Sequence, residues 1–271
     1  MSEMKLGANT FSYIYTHSML ESLRRLNRIG YSDFEILVAQ PHFWATDFGV
    51  DERRDMPKIL ADEGLNIASV NIPGIDNNIV SSTREMRDFT VSVISDLIDI
   101  CGDWGIGQCI IVPGRTMPLW PIPKDQLTEW FIDGMTKLAD RAGDQGVTVL
   151  VENVPNTWIP RAGDVMEALD ALDRDEVRVI YDLANAPFAG EDPLKGVRIV
   201  RDRLDLVHLS DTPWDAWRHD PIGMGEMDFT AYNAVLRDIG YRGLAMVELI
   251  AESPDAAFAD AKTKLGGAGW T

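Results

Sequence analysis

Two cysteines and four histidines are all that 271 residues supply of the side chains most often used for zinc binding or nucleophilic chemistry. Cys101 and Cys109 stand in "CGDWGIGQC" with no CxxC pair and no histidine beside them. That excludes a zinc ribbon or a thioredoxin-like motif and leaves reduced, structural thiols as the expectation. Basic residues are also scarce. Against 43 acidic side chains there are 25 lysines and arginines, a formal charge of −18. Such a surface repels phosphate backbones and anionic lipid, so no nucleic-acid or membrane partner is expected. No run approaches the roughly 18 uninterrupted apolar residues of a membrane span. The opening "MSEMKLGANTFSY" lacks a basic region followed by an apolar stretch, and a cytoplasmic location is expected.

What the chain has is enough apolar material for a full core, at 45% hydrophobic and 25% charged residues, with no low-complexity tract. Eight short β-rich runs recur: 5–11, 33–38, 66–72, 108–113, 147–153, 177–182, 204–210 and 244–249. Helical periodicity fills the gaps. Met86, Phe89, Val93, Leu97 and Ile100 are spaced for one helix face, Leu127, Phe131, Met135 and Leu138 for another, and Phe229, Tyr232, Leu236 and Ile239 for a third. Several helical patterns stop at glycine, as in "RIGY", "DEGLN", "DQGV" and "DIGYRG". Only the sixth helix, near 193–201, is poorly patterned. Eight strand–helix units predict a single-domain (β/α)8 TIM barrel over 1–271, with an open doubly wound sheet as the alternative.

In such barrels chemistry sits at the C-terminal ends of the strands. Strand 5 ends in Glu152, strand 6 in Asp182, strand 7 carries His208 near its end and strand 8 ends in Glu248. The alternate residues behind them, Leu150, Ile180, Leu206 and Met246, are expected to fill the barrel interior, so the four polar groups should converge on its mouth. Three carboxylates beside an apolar core repel one another and are costly to bury, and a divalent cation removes both objections. The donor set is hard and oxygen-rich. It suits one divalent metal ion, Mn2+ first, with Mg2+, Co2+ or Zn2+ as alternatives.

The segments "VLVENVPNT", "VIYDLANAP", "VHLSD", "WRHDPIGMGEMDF" and "VELI" resemble the xylose isomerase-like TIM barrel superfamily, in particular its ketose 3-epimerase and inosose isomerase or dehydratase branch. The resemblance implies that Glu152, Asp182, His208 and Glu248 hold the metal. It also implies that Glu152 and Glu248 exchange a proton with a keto-sugar through an enediolate, which makes the chain a sugar isomerase or epimerase. The partner is then a small carbohydrate, and a homo-oligomer is compatible with the tryptophan-rich loops. Arg218 and His219 resemble positions that hold substrate, and Asn185, Glu35 and Trp120 are further candidates for substrate contact. Glu35 has the alternative of orienting a neighbour. Asp211 is the expected support of His208, or else caps a turn. Trp44, Trp120, Trp158, Trp214 and Trp217 fall on loops of the same face, where tryptophans wall a pocket, stack on sugars, meet a subunit or fill the core.

Three departures bear on the activity. Strands 3 and 4 end in "VNIPG" and "IVPGR" without histidine, against the three-zinc cluster of the apurinic endonuclease branch. Asn185 stands where many epimerases have histidine, and Ser210 where many relatives have lysine. A dehydratase or other lyase on a keto-sugar, keto-glycoside or inosose, beginning with the same proton abstraction, is the alternative reaction. A non-catalytic sugar-binding barrel is the alternative class.

Overall fold

A computed structural model describes residues 4–271 as eight parallel strands closed into a barrel in sequence order. The strands are β1 Leu6–Asn9, β2 Asp33–Leu37, β3 Asn66–Ile72, β4 Gln108–Ile111, β5 Thr148–Glu152, β6 Arg178–Asp182, β7 Leu204–Leu209 and β8 Ala245–Val247. Every expected strand forms, trimmed by a residue or more at most of its ends. β1 closes on β8 through Leu6 opposite Ala245 and Ala8 opposite Val247, which rules out the open-sheet alternative.

The outer layer comprises α1 Met19–Ile29, α2 Val50–Glu63, α3 Arg84–Trp104, α4 Lys124–Gln145, α5 Ala162–Leu172, the single turn α6 Asn185–Phe188, α7 Pro193–Ile199, α8 Phe229–Asp238 and α9 Pro254–Gly267. Gly30, Gly64 and Gly146 close α1, α2 and α4 in the left-handed conformation, at φ 99°, 65° and 68°. A Cβ resists that conformation, which is why helical patterns ending in glycine mark the boundaries well. The poorly patterned sixth unit resolves into α6 and α7, with Asp192 capping α7 through Leu194 N. One expected face is corrected. On α3 Leu97 and Ile100 are buried as expected and Val93 packs partly buried against the core, but Met86 and Phe89 are exposed, and Thr90, Ile94, Ile98, Cys101 and Trp104 complete the buried side. In the first turns of this 21-residue helix Arg87 stacks over Trp130 at 4.4 Å.

Two apolar regions result. The larger lies between helices and barrel, and includes the buried thiols of Cys101 and Cys109. The smaller is the barrel interior: Ile110, Leu150, Ile180, Leu206 and Met246. Because strand side chains alternate with period two, the next inward positions on β5, β6, β7 and after β8 are 152, 182, 208 and 248. Glu248 lies one residue beyond β8, yet its N–H still donates to Leu209 O at 2.9 Å and continues the ladder. Among the described residues, no helix is long and apolar enough to cross a membrane.

Candidate metal centre

The floor of the mouth is a fully packed apolar layer, and directly above it Glu152, Asp182, His208 and Glu248 are all buried. Each offers one ligand atom, and these atoms lie within 4.8 Å of one another. Strand register produces the convergence: Asp182 is paired with His208, and His208 with Met246, two residues before Glu248.

The hydrogen bonds at the cluster leave atoms over. Asp182 Oδ1 accepts from Ala184 N at 2.7 Å and Asn185 N at 3.2 Å, while its Oδ2 is buried without a partner. His208 Nε2 donates to Glu35 Oε1 at 2.7 Å, which leaves Nδ1 facing the cluster. Nδ1 lies 3.1 Å from Glu248 Oε2 and 3.4 Å from Glu152 Oε1, but the angles are not those of hydrogen bonds and it too is left unpaired. A buried polar atom left without a partner costs on the order of 1–3 kcal/mol. Two of them, aimed into one knot of carboxylates, fit a divalent cation as the missing partner.

Electrostatics agree with that fit. Burial raises Glu152 above the usual carboxylate range, with Glu248 and Glu35 adding to it against the favourable pull of His208. Burial also raises Asp182, more than the His219 and His208 charges lower it. For His208 burial disfavours the charged form, yet Glu248 and Glu35 outweigh it and push the imidazole well above its ordinary value. A cation bound among these groups would favour their deprotonated forms.

Glu35 is not a substrate contact. It is fully buried beneath the cluster on β2, where burial would raise its carboxyl but His208, Ser69 and Asn9 more than offset this and hold it low. Oε2 accepts from Ser69 Oγ at 2.6 Å and Oε1 from Asn9 Nδ2 at 2.6 Å, and the Asn9 amide reaches Glu248 Oε1 at 3.0 Å as well. The carboxylate behind the imidazole is therefore Glu35, and Asp211 is not. Asp211 instead fastens its own loop, accepting from Thr212 N at 3.0 Å, Met227 N at 3.1 Å and Gly223 N at 2.7 Å. A Cβ on Gly225 would run into that carboxylate and the Thr212 backbone, so the glycine is needed for the close approach.

The same loop pairs Asp211 with Asp220 in both directions, and Ile250 N donates to His219 O at 2.7 Å. This delivers His219 to the mouth. Its Nδ1 lies 3.0 Å from Ser210 Oγ and 3.5 Å from Glu248 Oε2. Arg218, its neighbour, points away: its side chain is 56% exposed and paired with Asp220 at 2.9 Å. Asn185 is buried, with its Oδ1 accepting from Trp217 Nε1 at 2.6 Å and its Nδ2 reaching Glu152 Oε1 at 3.4 Å.

A pocket of about 210 Å3 opens over the cluster, and its lining includes Glu152, Glu248, Asn185, His219 and Trp217 together with Phe11, Asn71 and Arg115. Trp120 is 81% exposed and does not line it, and neither does Arg218. Of the other loop tryptophans, Trp158 packs on Phe131 and donates to Pro113 O at 2.9 Å, while Trp214 is exposed. Asn71 and Arg115 escaped the reading of the sequence. Asn71 is the last residue but one of β3 and Arg115 lies on the loop after β4, the face where such a search belongs, but neither is a residue type that announces a metal site. His42 is buried between His17 O at 2.8 Å and Thr10 Oγ1 at 2.9 Å, and holds the β1 and β2 loops together.

Comparison with known proteins follows the same lines. A family model described as xylose isomerase-like TIM barrel matches residues 23–265. An uncharacterized protein of Methanocaldococcus jannaschii is 25% identical over 91% of this chain and 88% of its own length. The fructoselysine 3-epimerase of Shigella flexneri is 21% identical over 84% of both chains. The inosose dehydratase of Geobacillus kaustophilus is 24% identical over 78% and 77%. Among solved structures, a D-tagatose 3-epimerase-like protein superposes with a TM-score of 0.85 at 19% identity, over 98% of this chain and 97% of that one. The 3-keto-D-glucoside 4-epimerase of E. coli gives 0.80 at 21%, over 98% and 100%.

Proposed function

Because the chain belongs to the xylose isomerase-like TIM barrel family, and because its barrel mouth gathers four buried donors with two of their atoms unpaired, we propose that it is a divalent-metal-dependent isomerase or epimerase of keto-sugars. The unpaired Nδ1 of His208 and Oδ2 of Asp182 carry the reading. Glu152, Asp182, His208 and Glu248 would hold the cation, with Mn2+ best matched to three carboxylates and an imidazole. Bound there, it supplies Lewis acidity that polarises a substrate carbonyl and acidifies the neighbouring C–H.

Glu152 and Glu248 supply the proton transfer. They come from β5 and the end of β8, with the strands of Asp182 and His208 between them, and both line the pocket. One carboxylate takes the proton from the carbon beside the carbonyl and the other returns one to it. Asn185 steadies Glu152 through its amide, and Asn9 does the same for Glu248 from below. His219, held by Ser210, stands where a substrate hydroxyl arrives. Trp217 and Phe11 close the pocket against water.

A second reading is a dehydratase that starts with the same proton abstraction and then expels a leaving group. The identity with inosose dehydratase and the side chain at position 185, an asparagine already engaged by Trp217, favour keeping it. One experiment addresses both. Mn2+-loaded protein is incubated with keto-sugars and inosose in D2O, and exchange of the C–H beside the carbonyl is followed by NMR. Exchange with an epimeric product supports the first reading and loss of water the second. Glu152→Gln should lower exchange by at least about a hundredfold. Unchanged turnover in that variant sinks both readings in favour of a sugar-binding barrel.

A further inference from the structure

Four buried asparagines stand at the barrel mouth, and three of them engage both ends of the amide inside the protein. Asn9 donates to Glu35 and Glu248 and accepts from Phe11 N at 2.7 Å. Asn153 donates to Asp182 O at 3.0 Å and accepts from Asp182 N at 2.7 Å. Asn185 is held between Trp217 and Glu152. Asn71 differs. It is 3% exposed, and its Oδ1 is buried without a hydrogen-bond partner.

Strand register explains why no partner is at hand. β3 pairs Asn71 with Leu37 of β2 on one side and with Ile110 of β4 on the other, and both neighbours are aliphatic and buried. Two residues earlier Ser69 gives its hydroxyl to the inward-facing Glu35, so Asn71 takes the next inward place, where it lines the pocket that also reaches Glu152 and Glu248. A leucine there would continue the apolar wall. An amide instead leaves a buried acceptor unpaired, a loss of stability that folding does not require. The comparable unpaired atoms at the mouth are Oδ2 of Asp182 and Nδ1 of His208, both already matched to a cation.

β3 and β7 are four strands apart in either direction round the closed barrel, so the strand of Asn71 lies opposite that of His208. A keto-sugar whose reacting carbons sit at Glu152 and Glu248 extends its far end toward β3. Resting on the proton-transfer reading above, we propose that Asn71 is the specificity residue of the pocket, accepting a hydrogen bond from one substrate hydroxyl on a carbon beyond the reacting pair. Its amide offers an acceptor and a donor, the two halves that a hydroxyl can use. Leu37 and Ile110 offer neither, so an analogue lacking that hydroxyl finds no substitute contact and binds less tightly.

The test pairs a change in the protein with a change in the sugar. Mn2+-loaded protein is titrated calorimetrically with the 2-ketohexoses, and the one bound most tightly is compared with its 4-, 5- and 6-deoxy derivatives. One of the three should bind about tenfold more weakly, the effect of one hydrogen bond to a buried group. Asn71→Leu, which fits between two aliphatic neighbours, should bind the parent sugar about tenfold more weakly and no longer tell it from that deoxy derivative. The metal-free variant should melt at or above wild type, since an unpaired buried acceptor is removed. Melting below wild type with equal weakening for all four sugars makes Asn71 structural and overturns the proposal. Equal affinity of wild type for all four sugars, a preference that survives Asn71→Leu, or no binding of any ketohexose overturns it too. Deuterium exchange beside the carbonyl is followed on the same samples. Coupling between Asn71 and one hydroxyl without exchange removes the proton-transfer reading and leaves Asn71 assigned, and exchange without coupling does the reverse.

Discussion

Replacing Glu35 by glutamine tests the support of the cluster without touching any of its four donors. In the native protein the Glu35 carboxylate receives three hydrogen bonds, from His208 Nε2 at 2.7 Å, Ser69 Oγ at 2.6 Å and Asn9 Nδ2 at 2.6 Å. Glutamine has the same shape. Its carbonyl can still accept from His208 and Asn9, and its amide can turn to Ser69, whose hydroxyl accepts as readily as it donates. The charge behind the imidazole is lost. That charge makes Nδ1 a better donor and fixes the tautomer, and removing such a partner weakens metal binding by about 10–100-fold, or roughly 1.4–2.7 kcal/mol. Calorimetric titration with Mn2+ against a competing chelator reads the loss, while melting of the metal-free protein should change little. Glu35→Ala should behave differently. It strands three buried donors at about 1–3 kcal/mol each before relaxation, so its metal-free form should melt much earlier. If Glu35→Gln binds Mn2+ within twofold of wild type while keeping its fold, the carboxylate does not tune His208 and the reasoning fails.

Two further expectations concern protons and the loop after β7. Burial raises Glu152 and Asp182, and the surrounding carboxylates raise His208, so a cation entering the cluster displaces protons. Affinity for Mn2+ must therefore fall as pH drops and the ligands protonate, with a measurable number of protons released per cation. Titration in buffers of different ionisation enthalpy measures that number, and no dependence on buffer refutes it. In the loop, Asp211→Ala frees three backbone N–H groups and should cost about 3 kcal/mol of stability and displace His219. Arg218→Gln, which breaks only an exposed pair with Asp220, should cost under about 1 kcal/mol. Denaturant melts of the two variants compare them directly, and equal losses would contradict the assignment.

The barrel and the four donors were legible in the sequence because both depend on local periodicity. A strand places alternate side chains on one face, so Leu150 and Glu152, Ile180 and Asp182, Leu206 and His208, and Met246 and Glu248 must share the inward side once the strand ends are known. Glycine stops and helical spacing divided the chain into eight units by equally local rules. Periodicity misled at Met86 and Phe89 of α3, which are spaced with Leu97 and Ile100 but stay exposed. Spacing alone does not say which turns of a helix have a neighbour to pack against.

Contacts across the barrel and within its loops were decided only by the closed structure. Glu35 meets His208 over a sequence separation of 173 because closure of β8 on β1 brings β2 within three strands of β7, while Asp211 is the nearer carboxylate in the sequence. Arg218 and His219 are adjacent in sequence, yet the two-way pairing of Asp211 with Asp220 turns one to solvent and the other to the cluster. Trp120 and Trp217 are indistinguishable as loop tryptophans, and only Trp217 finds a bonding partner, Asn185, at the pocket. Alternation along a strand is a property of the backbone itself and survives any fold that contains the strand. The direction of a loop side chain is set by hydrogen bonds to residues far away in the chain, so it exists only once the barrel has closed.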